Sequence, residues 1–140
     1  THVLLQAGVG GMAAALAALF RRAWGDVPGI VVVEPEAAPA LLESVRAGSL
    51  VTTDGPVSEM GRLDCKTPSM IALGGLSRDA DYFATVTEEQ AQAAVAALDR
   101  AGLATTASGA AGVAALLAGL PGVGAGSRVL AILSEGAEDG

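Results

Sequence analysis

Val3-Leu4-Leu5-Gln6-Ala7-Gly8-Val9-Gly10-Gly11-Met12-Ala13 decides the fold of this 140-residue chain. An apolar run meets a glycine cluster and passes directly into the Ala/Leu-rich stretch Met12 to Phe20. Strand, glycine turn, helix is the order in which an α/β protein builds a seat for a phosphate. Glycine reaches φ > 0 and has no Cβ to hold a ligand off the backbone. The unpaired N–H groups of the helix's first turn then face the anion, aided by the helix dipole.

Outward from this turn, short β-rich runs alternate with longer helical ones, the pattern of a parallel sheet with crossover helices. Val3–Ala7 reads as the first strand and Met12–Trp24 as the first helix, ending near Gly25 and Pro28. Ile30–Val33 is a β-branched run suited to a strand covered on both faces. Pro39 opens a short helix with Leu41, Leu42 and Val45 inward, closed by Gly48. Leu50–Thr53 reads as a brief strand. Thr67 and Pro68 read as N-cap and first position of a helix reaching about Leu73. Tyr82–Val86 is a strand, and Thr87-Glu88-Glu89-Gln90 is a capping box for a helix with Ala91, Ala94, Val95 and Leu98 on one face. Ser108 caps a further helix with Val113, Leu116 and Leu117 on one side, and Val129–Leu133 is the last strand. The expected fold is α/β, with an open, mostly parallel sheet and helices on both faces. Ligands of such sheets bind beyond the carboxyl ends of the strands, so Gly8–Gly11 and Ser134–Gly136 are expected to face one site.

Composition narrows the function. A net charge of −7 and few aromatics leave no footprint for nucleic acid. The single Cys65 forms no internal disulfide, and the single His2 supplies no zinc cluster, so no metal is expected. Gln6 and the glycines interrupt Val3–Phe20, and polar residues punctuate Ala101–Ser127, so neither reads as a membrane span. A cytoplasmic setting is the simplest expectation. Cys65 defaults to an inert thiol, Lys66 to an exposed turn lysine, and Glu34, Asp54, Asp64 and Glu135 to solvated carboxylates.

The glycine turn alone also fits a dinucleotide fingerprint, with Glu34 standing about where a ribose-binding acid belongs. Three further segments bear on the choice: Met60–Ser69, Ala107–Gly112 and Leu133–Asp139. With Gln6–Ala13 and Val32-Val33-Glu34-Pro35, in this order, they resemble the C-terminal half of a diaminopropionate ammonia-lyase. That family belongs to the fold-type II pyridoxal-phosphate enzymes related to threonine dehydratase and tryptophan synthase β chain. The resemblance covers essentially residues 1–140.

The resemblance implies the tryptophan synthase β-like fold, pyridoxal 5′-phosphate as cofactor, and a small amino acid as substrate. It also implies a homodimer as the full-length enzyme, with no nucleic acid or membrane partner. It assigns Gly8, Val9, Gly10, Gly11 and Met12 to the cofactor's phosphate and Ser134 to its pyridine nitrogen. A hydroxyl there does not force that nitrogen to be protonated, which tempers the ring as an electron sink. No residue of this chain receives a catalytic role. The family's Schiff-base lysine is expected upstream, in a segment this sequence does not contain, and Lys66, the sole lysine, matches another position. Where the family tends to carry a glutamate before Ser-Gly-Ala, this sequence has Ala107. Two competing expectations remain: a Rossmann-type dinucleotide-binding domain of an oxidoreductase, and a non-catalytic fragment.

Overall fold

The computed structural model describes residues 1–138. Asp139, the last residue of the motif that begins at Leu133, lies outside them. In chain order the elements are β1 (His2–Gln6), α1 (Gly11–Trp24), β2 (Gly29–Pro35), α2 (Ala40–Ala47), the 3-10 turn Gly61–Leu63, α3 (Met70–Asp79), β3 (Tyr82–Val86), α4 (Glu88–Arg100), α5 (Ala107–Ala118) and β4 (Val129–Ala131). The four strands form one parallel sheet in the order β3-β2-β1-β4.

Alternation along the strands divides the core in two. Val3 and Leu5 of β1, with Ile30 and Val32 of β2, pack against Ala13 and Ala17 of α1, Leu41 of α2 and Leu76 of α3. Leu4, Val31 and Val33 face the other way, onto Ala91, Ala94 and Leu98 of α4 and the alanines of α5. Helices therefore cover both faces. The strands grow outward from β1 to β2 to β3, and the chain then crosses under the sheet through α4 and α5 to place β4 on β1's free side. Strand order reverses at β1, so the ends of β1 and β4 open a crevice at the switch point.

Local chemistry explains where elements begin. The Thr87 hydroxyl accepts from the Gln90 N–H at 3.1 Å, and the Gln90 Oε1 accepts from the Thr87 N–H at 2.9 Å, completing the capping box. α3 starts later than its sequence suggests, because Ser69 rather than Thr67 accepts from the Ala72 N–H, while Thr67 bonds Thr52. It also runs through Gly74-Gly75 to Asp79. At Gly75 a Cβ would make only ordinary contact, 3.7 Å, with that of Ala14, where α3 packs on α1. α5 is capped by Thr106, not Ser108, through the Gly109 N–H at 3.1 Å.

Other expectations are corrected. Leu50–Thr53 forms no strand: the Val51 N–H goes to the Ser44 hydroxyl and the Thr53 N–H to the Lys66 carbonyl. In α2 the buried side is Ala40, Leu41 and Ser44, with Val45 exposed, because the helix rests on the sheet by its first turn. In α5 the buried face is alanine and glycine, and Leu117 points outward. The last strand stops at Ala131 because the Ile132 carbonyl is taken by the Gln6 side chain at 2.8 Å. Among the described residues no helix is long and apolar enough to cross a membrane.

Loss of the box at α4 is expected to be felt globally. Thr87→Ala should lower stability by about 1 kcal/mol, read as a reduced urea midpoint with an unchanged slope.

Candidate cofactor cleft

The crevice at the switch point is a cleft of about 290 Å³. Its floor is the segment Gln6–Ala13, and its far lip is Ser134 and Glu135. Every residue singled out as a site candidate, Gly8, Val9, Gly10, Gly11, Met12 and Ser134, lines this one cleft. Arg62, Leu63, Cys65 and Ser108 complete the wall.

The loop is shaped by what passes behind it. A Cβ at Gly8 would meet the Arg62 carbonyl at 2.7 Å and the Cys65 Sγ at 3.0 Å. Gly10 is left-handed, with φ of 100°, and a Cβ there would meet the Ala72 Cβ and Leu41 Cδ1, each at 3.0 Å. The Val9 carbonyl accepts the Ser69 N–H at 2.9 Å, which braces the loop from α3. Gly10 is also the N-cap of α1, and no side chain caps that helix. The free N–H groups of its first turn, with no acidic side chain among them, suit an anion.

Two cleft residues escaped the sequence reading. Gln6 is buried in β1, and its Nε2 donates to Ser134 Oγ at 2.8 Å, joining the two lips. The signal was a polar residue in an otherwise apolar strand. Arg62 pairs through Nε with Glu135 Oε1 at 2.7 Å, and the other Glu135 oxygen accepts from the Thr106 hydroxyl. Glu135 is therefore a paired carboxylate rather than a solvated one. Ser108, moved into the first turn of α5, accepts the Arg62 N–H at 3.2 Å.

Other candidates are structural. Lys66 is mostly covered, its ammonium donating to the Ala37 carbonyl at 2.9 Å, the Pro56 carbonyl at 2.7 Å and Asp64 Oδ1 at 2.6 Å. It ties the 54–66 loop to the end of β2 and is no exposed turn lysine. Its hydrogen bond holds the Asp64 carboxyl below the usual range. Glu34 is fully buried, and its two oxygens accept the Leu41 and Leu42 N–H groups at 2.7 and 2.9 Å. A carboxylate spent on the N-terminus of α2 has nothing left for a ribose. That removes the acid on which the dinucleotide reading depended. Burial pushes the Glu34 pKa up to about 7, against the opposing effect of those two bonds.

Comparison with known proteins places this geometry in a class. Residues 1–135 match the family of pyridoxal-phosphate dependent enzymes. The chain belongs to that family. No curated protein gives a significant match. Among solved structures, a threonine deaminase from T.th. is 28% identical with a TM-score of 0.83, over 98% of this chain and 48% of that one. Diaminopropionate ammonia lyase from Escherichia coli in complex with D-serine is 27% identical, TM-score 0.75, over 84% of this chain and 30% of that one. A fungal L-serine ammonia-lyase from Rhizomucor miehei shares the fold at 20% identity and TM-score 0.86, over 97% of this chain and 45% of that one. The chain thus spans less than half the length of each of these structures.

The residues present fit the family's cofactor. An uncapped helix start behind one turn that lacks side chains at Gly8, Gly10 and Gly11 suits a phosphate, and the Ser134 hydroxyl on the facing lip suits a ring nitrogen.

Two outcomes follow from this geometry. Gly10→Ala should cost about 1–3 kcal/mol by chemical denaturation, since alanine there is left-handed and crowded. Glu34 ionises near 4.5 unfolded and near 7 folded, so the folded state keeps a proton that the unfolded state releases. Its contribution is complete below the unfolded value and lost as pH rises through the folded one. Stability should fall by roughly 3 kcal/mol between those limits, and Glu34→Gln should flatten that slope in urea titrations.

Proposed function

We propose that this chain is the cofactor-holding part of a carbon–nitrogen lyase acting on 2,3-diaminopropionate, releasing the β-amino group as ammonia and leaving pyruvate. The reading is carried by one observation: the glycine turn and Ser134 line a single cleft. The motif order along the chain supports the substrate, as does 27% identity to the diaminopropionate enzyme. Comparable identity to a threonine deaminase makes threonine the competing substrate.

In this reading the backbone N–H groups from Gly8 to Met12 grip the phosphate, and the glycines at 8, 10 and 11 let several of them converge on it. Pyridoxal phosphate, when bound, supplies a conjugated ring that takes up electron density from the substrate. Ser134 presents a neutral hydroxyl to the ring nitrogen. The adjacent carboxylate of Glu135 is held away on Arg62 and Thr106 and adds no full charge there. No proton transfer is assigned to this chain. Lys66 has each of its ammonium protons engaged, so the amine that holds the aldehyde is assigned to a segment outside residues 1–140.

Titration of the chain with pyridoxal 5′-phosphate should protect the Gly8–Met12 amides, and NAD should not. The reverse result would restore the dinucleotide reading. The purified chain with added cofactor should release no ammonia, and measurable turnover would overturn the division of labour. An enzyme that carries this segment together with the lysine segment should turn over 2,3-diaminopropionate with a higher kcat/KM than serine or threonine. A preference for threonine would overturn the substrate assignment.

A further inference from the structure

We infer that Gln6 is a positioning residue that makes Ser134 a committed hydrogen-bond donor toward the cleft, and hence toward an unprotonated ring nitrogen. The inference rests on the cofactor reading above. Gln6 is 1% exposed, in the middle of the sheet, with α5 over its side chain. Its Nε2 lies 2.8 Å from the Ile132 carbonyl oxygen, 3.4 Å from the Gly109 carbonyl oxygen and 2.8 Å from Ser134 Oγ. Two of these neighbours are carbonyls and only accept, so the amide atom facing them is the nitrogen and the flip is settled.

An amide NH₂ donates and does not accept. The Ser134 oxygen therefore receives a proton from Gln6 and has no acceptor on that side for its own. Its O–H is left to point into the cleft. A ring nitrogen meeting that donor is held as an acceptor, with its lone pair occupied and no proton of its own.

The arrangement has a cost that a merely structural residue would avoid. Gln6 Oε1 is buried with no partner among the described residues. A Cβ at Gly112 would stand 3.2 Å from it, so α5 leaves this oxygen only the space of a glycine. A buried unpaired carbonyl is destabilising, and methionine would fill the same volume without it. The polarity of the amide at Ser134 is what the glutamine adds.

The test has a ligand-free arm and a loaded arm. In the free chain, the Gln6 side-chain N–H resonances should be protected from exchange, and one should move upfield in Ser134→Ala. Resonances that ignore that substitution would overturn the inference without touching the cofactor reading. In the loaded arm, the chain is titrated with pyridoxal 5′-phosphate carrying ¹⁵N in the ring. The wild type should show the shift of a hydrogen-bonded, unprotonated nitrogen that does not titrate across neutral pH, whereas Gln6→Met should restore titration toward the protonated form. Gln6→Met should weaken binding about fivefold, the equivalent of one hydrogen bond. The double variant Gln6→Met/Ser134→Ala should bind no more weakly than Ser134→Ala alone. A protonated nitrogen in the wild type, or strictly additive losses, would overturn the inference. Wild-type chain that fails to bind the cofactor would instead overturn the cofactor reading and this inference with it.

Discussion

The reversal of strand order at β1 is the constraint on which the rest depends. Strands added on both sides of β1 must be reached by crossovers over opposite faces, because parallel crossovers share one hand. The helices α1 and α3 therefore occupy one face, and α4 and α5 the other. The segments leaving β1 and β4 diverge at the top of the sheet, and nothing in the connectivity fills the gap between them. A cleft at that point is a consequence of topology. What fits it is decided by side chains, or by their absence at Gly8 and Gly10.

Buried polar groups hold this arrangement in register. Glu34 starts α2, and Leu41 in the first turn of α2 packs directly beneath Gly10. Lys66 gathers two carbonyls and Asp64 to fix the loop whose Arg62 carbonyl stands behind Gly8. Met in sequence, these charged residues read as solvated surface groups. In the fold each is fully engaged in shaping the loop. The cleft itself is lined by backbone amides and the Ser108 and Ser134 hydroxyls.

Much of the fold was legible in sequence because the strong signals were local. The β-branched run of β2, the glycine turn and the Thr87–Gln90 box each encode an element through neighbours only a few positions apart. The misreadings share a cause too. Thr67 and Ser108 are plausible caps by residue type, and the choice of Ser69 and Thr106 depends on contacts with Thr52 and Arg62, remote in sequence. Gly74-Gly75 looked like a stop, but helix packing against Ala14 overrode a weak propensity. Among the residues that line the cleft, Gly8–Met12 and Ser134 were visible by motif. Gln6 was not, because its role exists only once β4 is laid beside β1.

The engagement of Lys66 also bears on how firmly a cofactor can be kept. Pyridoxal phosphate is an aldehyde, and enzymes that retain it through long purification do so by a covalent link to a lysine amine. Here Lys66, the sole lysine of residues 1–140, is anchored away from the cleft on the Ala37 and Pro56 carbonyls and Asp64. What residues 1–138 present across the cleft between Gly10 and Ser134 is non-covalent: backbone N–H groups and hydroxyls. In the reading proposed above, this half of the site is a docking cradle, and the covalent link belongs to the lysine segment outside residues 1–140.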